Sequence, residues 1–171
     1  PYKKFGLNGF RGSQYKVLSL DTDTGACTLK VRFDGGFRRK PGLSYSDAEI
    51  FVLNGQIKVG KQVWIEGHYA FIPAGMAIGA IEVPQGAEVL LMFNDSEPSF
   101  AETDQHHRLA LTDAFSSVNS YEDRPWAPGN LVNPSVASGC LIKVLHYDVM
   151  TEALSFLYCM TPQFAQDNIS Y

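Results

Sequence analysis

Cysteine and histidine are scarce in this chain, with three of the first and four of the second among 171 residues. Cys27, Cys140 and Cys159 are odd in number and lack Cys-x-x-Cys spacing, which excludes a disulfide-stapled scaffold and a zinc ribbon. Unremarkable thiols in a reducing cytoplasm are expected. Basic runs are almost absent: Arg38-Arg39-Lys40 stands alone in a chain of net charge −4 and reads as a solvated loop, so nucleic acid is not an expected partner. No apolar run reaches membrane-spanning length and no stretch of the sequence reads as a signal peptide, so a soluble protein without a membrane partner is expected.

What the chain does have suits strands. Apolar residues make up 45% and aromatics 12%, with eleven Phe and eight Tyr, side chains that favour a pleated, half-buried surface. The length accommodates one domain, or one and a fraction.

The most informative stretch is 47–75. Ile50 to Leu53 is a short β-branched and aromatic run closed by Asn54-Gly55, a dipeptide suited to the positive φ of a tight turn, so a hairpin is expected there. Gln56 to Val59, and the region around Val63 and Ile65, alternate polar and apolar, as strands with one wet face do. Gly60 and Gly67 read as turn positions. Tyr69 to Ile72 forms another strand, stopped by Pro73 and Gly75.

These residues carry a resemblance. Glu49 to Gly55 followed by Gly67 to Gly75 resembles the paired motifs of the cupin superfamily, with wording closest to the ChrR-like cupins. The resemblance implies an all-β, cupin-type jelly-roll barrel of antiparallel sheets. It also implies a site of three histidines and one glutamate on divalent iron, manganese, nickel or zinc. Gly67, Pro73 and Gly75 match the frame of the second motif, whose histidine position is Ile78. In the first motif the glutamate position is Ala48, separated from Gly55 by six residues, and Glu49 lies one residue off. Because a one-residue slip turns a strand side chain to the other face, Glu49 reads as an exposed strand glutamate. Its functional alternative is a lone buried acid or base.

Leu43, Tyr45 and Ile78 stand at ligand positions under one alignment or the other. With Phe51 and Phe71 they are the expected lining of a small-molecule pocket. No metal is expected in this chain, since at most one of the four ligands survives. The alternative is a divalent ion held at non-standard positions, by Glu49 with His68 or His106. His106 and His107 are adjacent, so on a strand their rings face opposite ways and cannot chelate together.

An internal repeat complicates the architecture. Lys16-Val17-Leu18, Asp21, Thr24 and Ala26 recur as Lys143-Val144-Leu145, Asp148, Thr151 and Ala153, each 127 positions on (143 minus 16). In both copies a strand runs to the aspartate, turns through a polar link and returns as an apolar strand. The expected organisation is a cupin barrel over 1–93, a linker or wrapping segment over 94–138, and over 139–171 the opening hairpin of a second cupin repeat, or strands completing the first barrel. The reading favoured is a bicupin whose first barrel is a metal-free scaffold or small-molecule pocket. The alternatives are a metal-independent binding module and a metal-dependent dioxygenase with ligands at non-standard positions or in a second barrel. Uncovered strand edges lead to the expectation of a homodimer.

Overall fold

The computed structural model describes residues 1–7, 9–131, 134, 139–162 and 164. Pro1–Asn119 form one compact unit and Ser120–Tyr171 a second. The boundary lies inside the segment read as a linker. Among the described residues there is no α-helix, only two 3-10 turns at Thr112–Ala114 and Gly129–Leu131, and no helix long and apolar enough to cross a membrane.

The first unit is an antiparallel cupin-type barrel. Its strands are β1 (Lys3–Lys4), β2 (Ser13–Leu20), β3 (Cys27–Phe33), β4 (Phe37–Arg39), β5 (Gly42–Leu43), β6 (Ala48–Val59), β7 (Gln62–Ile65), β8 (His68–Ile72), β9 (Ile81–Val83), β10 (Ala87–Phe93), β11 (Ala101–Glu102) and β12 (Ser116–Asn119). One layer runs β1-β2-β3-β10-β6-β8-β12; β7, β9 and β4 curl over it from the far half of β6. Alternating side chains of β3 and β10 are buried in strict period two, and Leu29, Val31, Phe33, Val89, Leu91 and Phe93 join Ala48, Ile50, Val52, Ile57, Val59 and Trp64 in one core. On the wet face of the same pair, Glu88 bridges Lys30 at 2.9 Å and Arg32 at 2.7 Å.

The expected hairpin at Asn54-Gly55 does not form. Strand β6 passes straight through it as one twelve-residue element. Its first half pairs with β10 and β8, its last four residues with β7, and the register slips by one at Leu53, where Glu88 faces Asn54 but Val89 faces Val52. Gly55 takes φ +85° there and brings the backbone so close to Gly86 that a Cβ would lie 2.5 Å from its carbonyl oxygen. The turn-forming dipeptide therefore makes a β-bulge, which bends the strand from one layer into the other. The actual hairpin is at Gly60, φ +58°. The alternation in β7 is also opposite to expectation: Trp64 is buried, while Val63 and Ile65 are exposed.

The second unit contains β13 (Ala127–Pro128), β14 (Cys140–Tyr147) and β15 (Leu154–Met160) in one antiparallel sheet. Hairpin β14-β15 reproduces β2-β3 residue for residue at the 127 offset. The strand ends coincide, and the bulge between Val17 and Ser19 recurs between Val144 and His146. The turns share their closing bonds: Asp21 N–H donates to Ala26 O and Asp148 N–H to Ala153 O, both at 2.9 Å, and each aspartate carboxylate accepts from the two N–H groups two and three residues on. Gly12 and Gly139, both at positive φ, open the two copies.

The bend at Gly55 gives a direct test. Gly55→Ala meets both positive φ and a backbone clash, whereas Gly36→Ala, at φ +85° with nothing within 4 Å, meets the first alone. Gly36→Ala should cost about 1–2 kcal/mol in urea unfolding, and Gly55→Ala at least about twice that. Equal costs would contradict the close-approach account.

Candidate functional site

The interior of the first unit contains a cavity of about 60 Å³, lined by aliphatic and aromatic side chains of β3, β6, β7, β8, β9 and β10 and by the chain around Gly42 and Phe100. Ala48, at the glutamate position of the first motif, and Ile78, at the histidine position of the second, both line it, and so does Leu43. An isolated bridge joins Gly42 to Ile78 and holds these positions together. Two methyl-ended side chains and an alanine offer no lone pair to an ion, so the residues present do not fit the metal that the cupin resemblance implies. Among the described residues no three His, Cys, Asp or Glu side chains are grouped as an ion would need.

Of the other expected lining residues, Tyr45 is 62% exposed. Phe51 and Phe71 lie on the opposite face of β6 and β8 from Ile50, Ala70 and Ile72, which belong to the core. Glu49 shares that opposite face, as its register implies, but it is not the exposed glutamate expected. It is 8% exposed, accepts a hydrogen bond from Tyr69 Oη at 2.6 Å on Oε2, and accepts another from Asn94 Nδ2 at 2.8 Å on Oε1. Burial here comes with partners, as a carboxylate requires.

His68 stacks on Trp64 with centroids 5.2 Å apart, and its Nε2 lies 2.8 Å from Ser117 Oγ. His106 is exposed, and its Nδ1 accepts the N–H of Ala77 at 3.1 Å. His107 Nδ1 accepts the N–H of Leu109. Among the contacts described, Glu49, His68 and His106 each bond to different residues.

The residue that sequence reasoning missed is Arg39. The basic triplet is not a uniform solvated loop: β4 pairs with β9, and alternation sends Phe37 and Arg39 inward while Arg38 points out towards Glu82. The Arg39 guanidinium lines the cavity, 4.6 Å from the centroid of Phe100 and 5.4 Å from that of Phe10. Its Nε is buried without a hydrogen-bond partner among the described residues. Burial pushes its pKa down to about 10, which leaves it charged at neutral pH.

Phe100 reaches the guanidinium from a segment that looks like polar linker. Ser99 Oγ accepts the N–H of Tyr45 at 2.9 Å and lies 3.2 Å from Ser44 Oγ; Ser46 Oγ donates to Asp95, and Asn94 N–H donates to Asp47 O. These bonds strap 94–100 against the start of β6. The phenyl ring then fits only because Gly42 has no side chain, since a Cβ there would lie 2.2 Å from it.

Fold and cavity define a cupin-type barrel whose interior is apolar around one cation. The chain belongs to the family described as "Domain of unknown function (DUF4437)", which matches residues 6–171. No curated protein matches it. Among solved structures it is similar to a proposed dioxygenase from Nostoc punctiforme, with 27% identity and a TM-score of 0.80. That match covers 89% of this chain and 53% of the other, so this chain spans about half the length of the Nostoc protein. A proposed acetylacetone dioxygenase from Methylibium petroleiphilum shares the fold at 19% identity and TM-score 0.52, over 64% of this chain and 81% of that one. So does the polyketide cyclase RemF from Streptomyces resistomycificus, at 18% identity and TM-score 0.52, over 63% and 82%.

Glu49→Ala removes the acceptor of the buried Tyr69 hydroxyl and of the exposed Asn94 amide and should lower stability by about 1–3 kcal/mol in chemical unfolding. Because Glu49 faces away from the cavity, ligand affinity measured on the folded variant should not change. A large loss of affinity without loss of stability would reassign Glu49 to the pocket.

Proposed function

We propose that this barrel is a metal-free cupin pocket that binds a small, mainly apolar molecule. The observation that carries the reading is the aliphatic lining at Leu43, Ala48 and Ile78, where a cupin site would present its ligands. Apolar walls around a small space favour a hydrocarbon portion of a ligand through the hydrophobic effect, and the few polar groups fix its orientation. The repeated hairpin extends the proposal: β2-β3 opens the first barrel, and β14-β15 opens a second of the same design. On this reading the pair divides its labour, with the first barrel as binding partner or scaffold.

A second reading draws on the Nostoc structure, described as a proposed dioxygenase and about twice as long as the segment matched here. Dioxygenase chemistry would then belong to the whole two-barrel protein, with its metal ligands in the other barrel.

Elemental analysis of the purified chain separates a metal-free pocket from a metal site built of non-standard ligands. The expected result is iron, manganese, nickel and zinc far below one ion per chain, with a melting temperature unmoved by chelator. Near-stoichiometric metal, together with a lower melting temperature on chelation, would contradict the metal-free reading.

A further inference from the structure

We propose that Arg39 makes this cavity a receptor for a small carboxylate, the guanidinium acting as a fixed organic cation in an interior whose metal-ligand positions are aliphatic. The inference rests on the pocket reading above and adds the charge and size of the ligand.

Among the described residues the Nε of Arg39 is buried with no partner, and no carboxylate lines the cavity. The acidic groups nearest in the strand pairing are committed elsewhere: Glu82 faces Arg38, and Glu102 takes Lys40 at 2.6 Å. The rings of Phe10 and Phe100 stabilise the cation by their π faces, but they accept no N–H in the guanidinium plane. A buried donor left open in this way calls for a ligand acceptor. A carboxylate matches the planar fork of a guanidinium with two parallel charge-assisted bonds. Among the described residues no other ionisable side chain lines the cavity to compete for the charge.

Size and polarity narrow the class. At about 60 Å³ the cavity holds the equivalent of about four to six water-sized positions. That suits a carboxylate with a hydrocarbon tail of a few carbons. Besides Arg39, the lining offers two hydroxyls, Ser44 and Ser99, which already face each other. A tetrahedral, strongly hydrated phosphate would leave most of its oxygens against hydrocarbon, and a dicarboxylate would need a second cation.

The test is titration of propionate, its neutral isostere propionamide, and inorganic phosphate at pH 7 and constant ionic strength, read by calorimetry and thermal shift. Wild type and Arg39→Met are compared. Wild type should bind propionate at least about tenfold more tightly than propionamide or phosphate, the increment of a hydrogen-bonded charge pair. Arg39→Met should lose that preference yet still take propionamide. It should melt no lower than wild type, because a half-buried guanidinium whose buried Nε has no partner among the described residues has been replaced by an apolar side chain of similar length. Equal binding of propionate and propionamide would overturn the carboxylate assignment and leave the pocket reading standing. Phosphate binding as tightly as propionate would overturn the choice of anion, and preference retained in Arg39→Met would overturn the role of Arg39. Failure of both organic ligands would overturn the pocket reading with it.

Discussion

Strand β6 has to serve two layers of the barrel, and the bend at Leu53–Gly55 is what lets it do so. Before the bend it pairs with β10 and β8; after it, with β7. The register upstream of the bend aims Ala48, Ile50 and Val52 into the core and turns Glu49 and Phe51 to the other face. A glutamate one position earlier would point into the cavity, as the cupin pattern requires. Here the same carboxylate is spent on the outer face, bonded to Tyr69 and Asn94.

With no carboxylate or imidazole among the described residues of the lining, the electrostatics of the interior come from Arg39. A guanidinium is more weakly hydrated than an ammonium and can lie on aromatic faces, which is why an arginine tolerates this position. Phe10 and Phe100 supply those faces, and the serine-bonded strap at 94–100 carries Phe100 into place. Backbone clearance at Gly42, ring placement and charge placement are thus links of one chain. Binding follows from it, since a small apolar space with one open donor discriminates by charge as well as by size.

Much of the fold was legible. The Gly67, Pro73 and Gly75 frame, the strand-rich composition and the spaced repeat of Lys-Val-Leu, Asp, Thr and Ala each correspond to a physical feature: a positive-φ turn, a two-faced strand, an aspartate-capped hairpin. Asn54-Gly55 misled because one conformational preference serves both a hairpin turn and a bulge, and only the partner strands decide between them. The site was less legible. Facing directions in a three-residue strand such as β4 are fixed by its pairing with β9, so Arg38 and Arg39 look equivalent in sequence. Ser99 and Phe100 lie in a polar stretch whose destination depends on bonds to residues over fifty positions away. Glu49 was placed on the correct face, but its burial depends on what packs there, which register alone does not reveal.

The central claim is that this barrel's interior is organised around a cation of its own rather than a bound metal. The most direct measurement is the Nε–H resonance of Arg39 in protein labelled with ¹⁵N at arginine, assigned by its loss in Arg39→Met. The account predicts a proton protected from exchange that shifts progressively as a short-chain carboxylate is added and is unmoved by diamagnetic divalent zinc. An Arg39 signal indifferent to carboxylates, together with cavity methyl resonances that move or broaden on adding manganese or nickel, would contradict it.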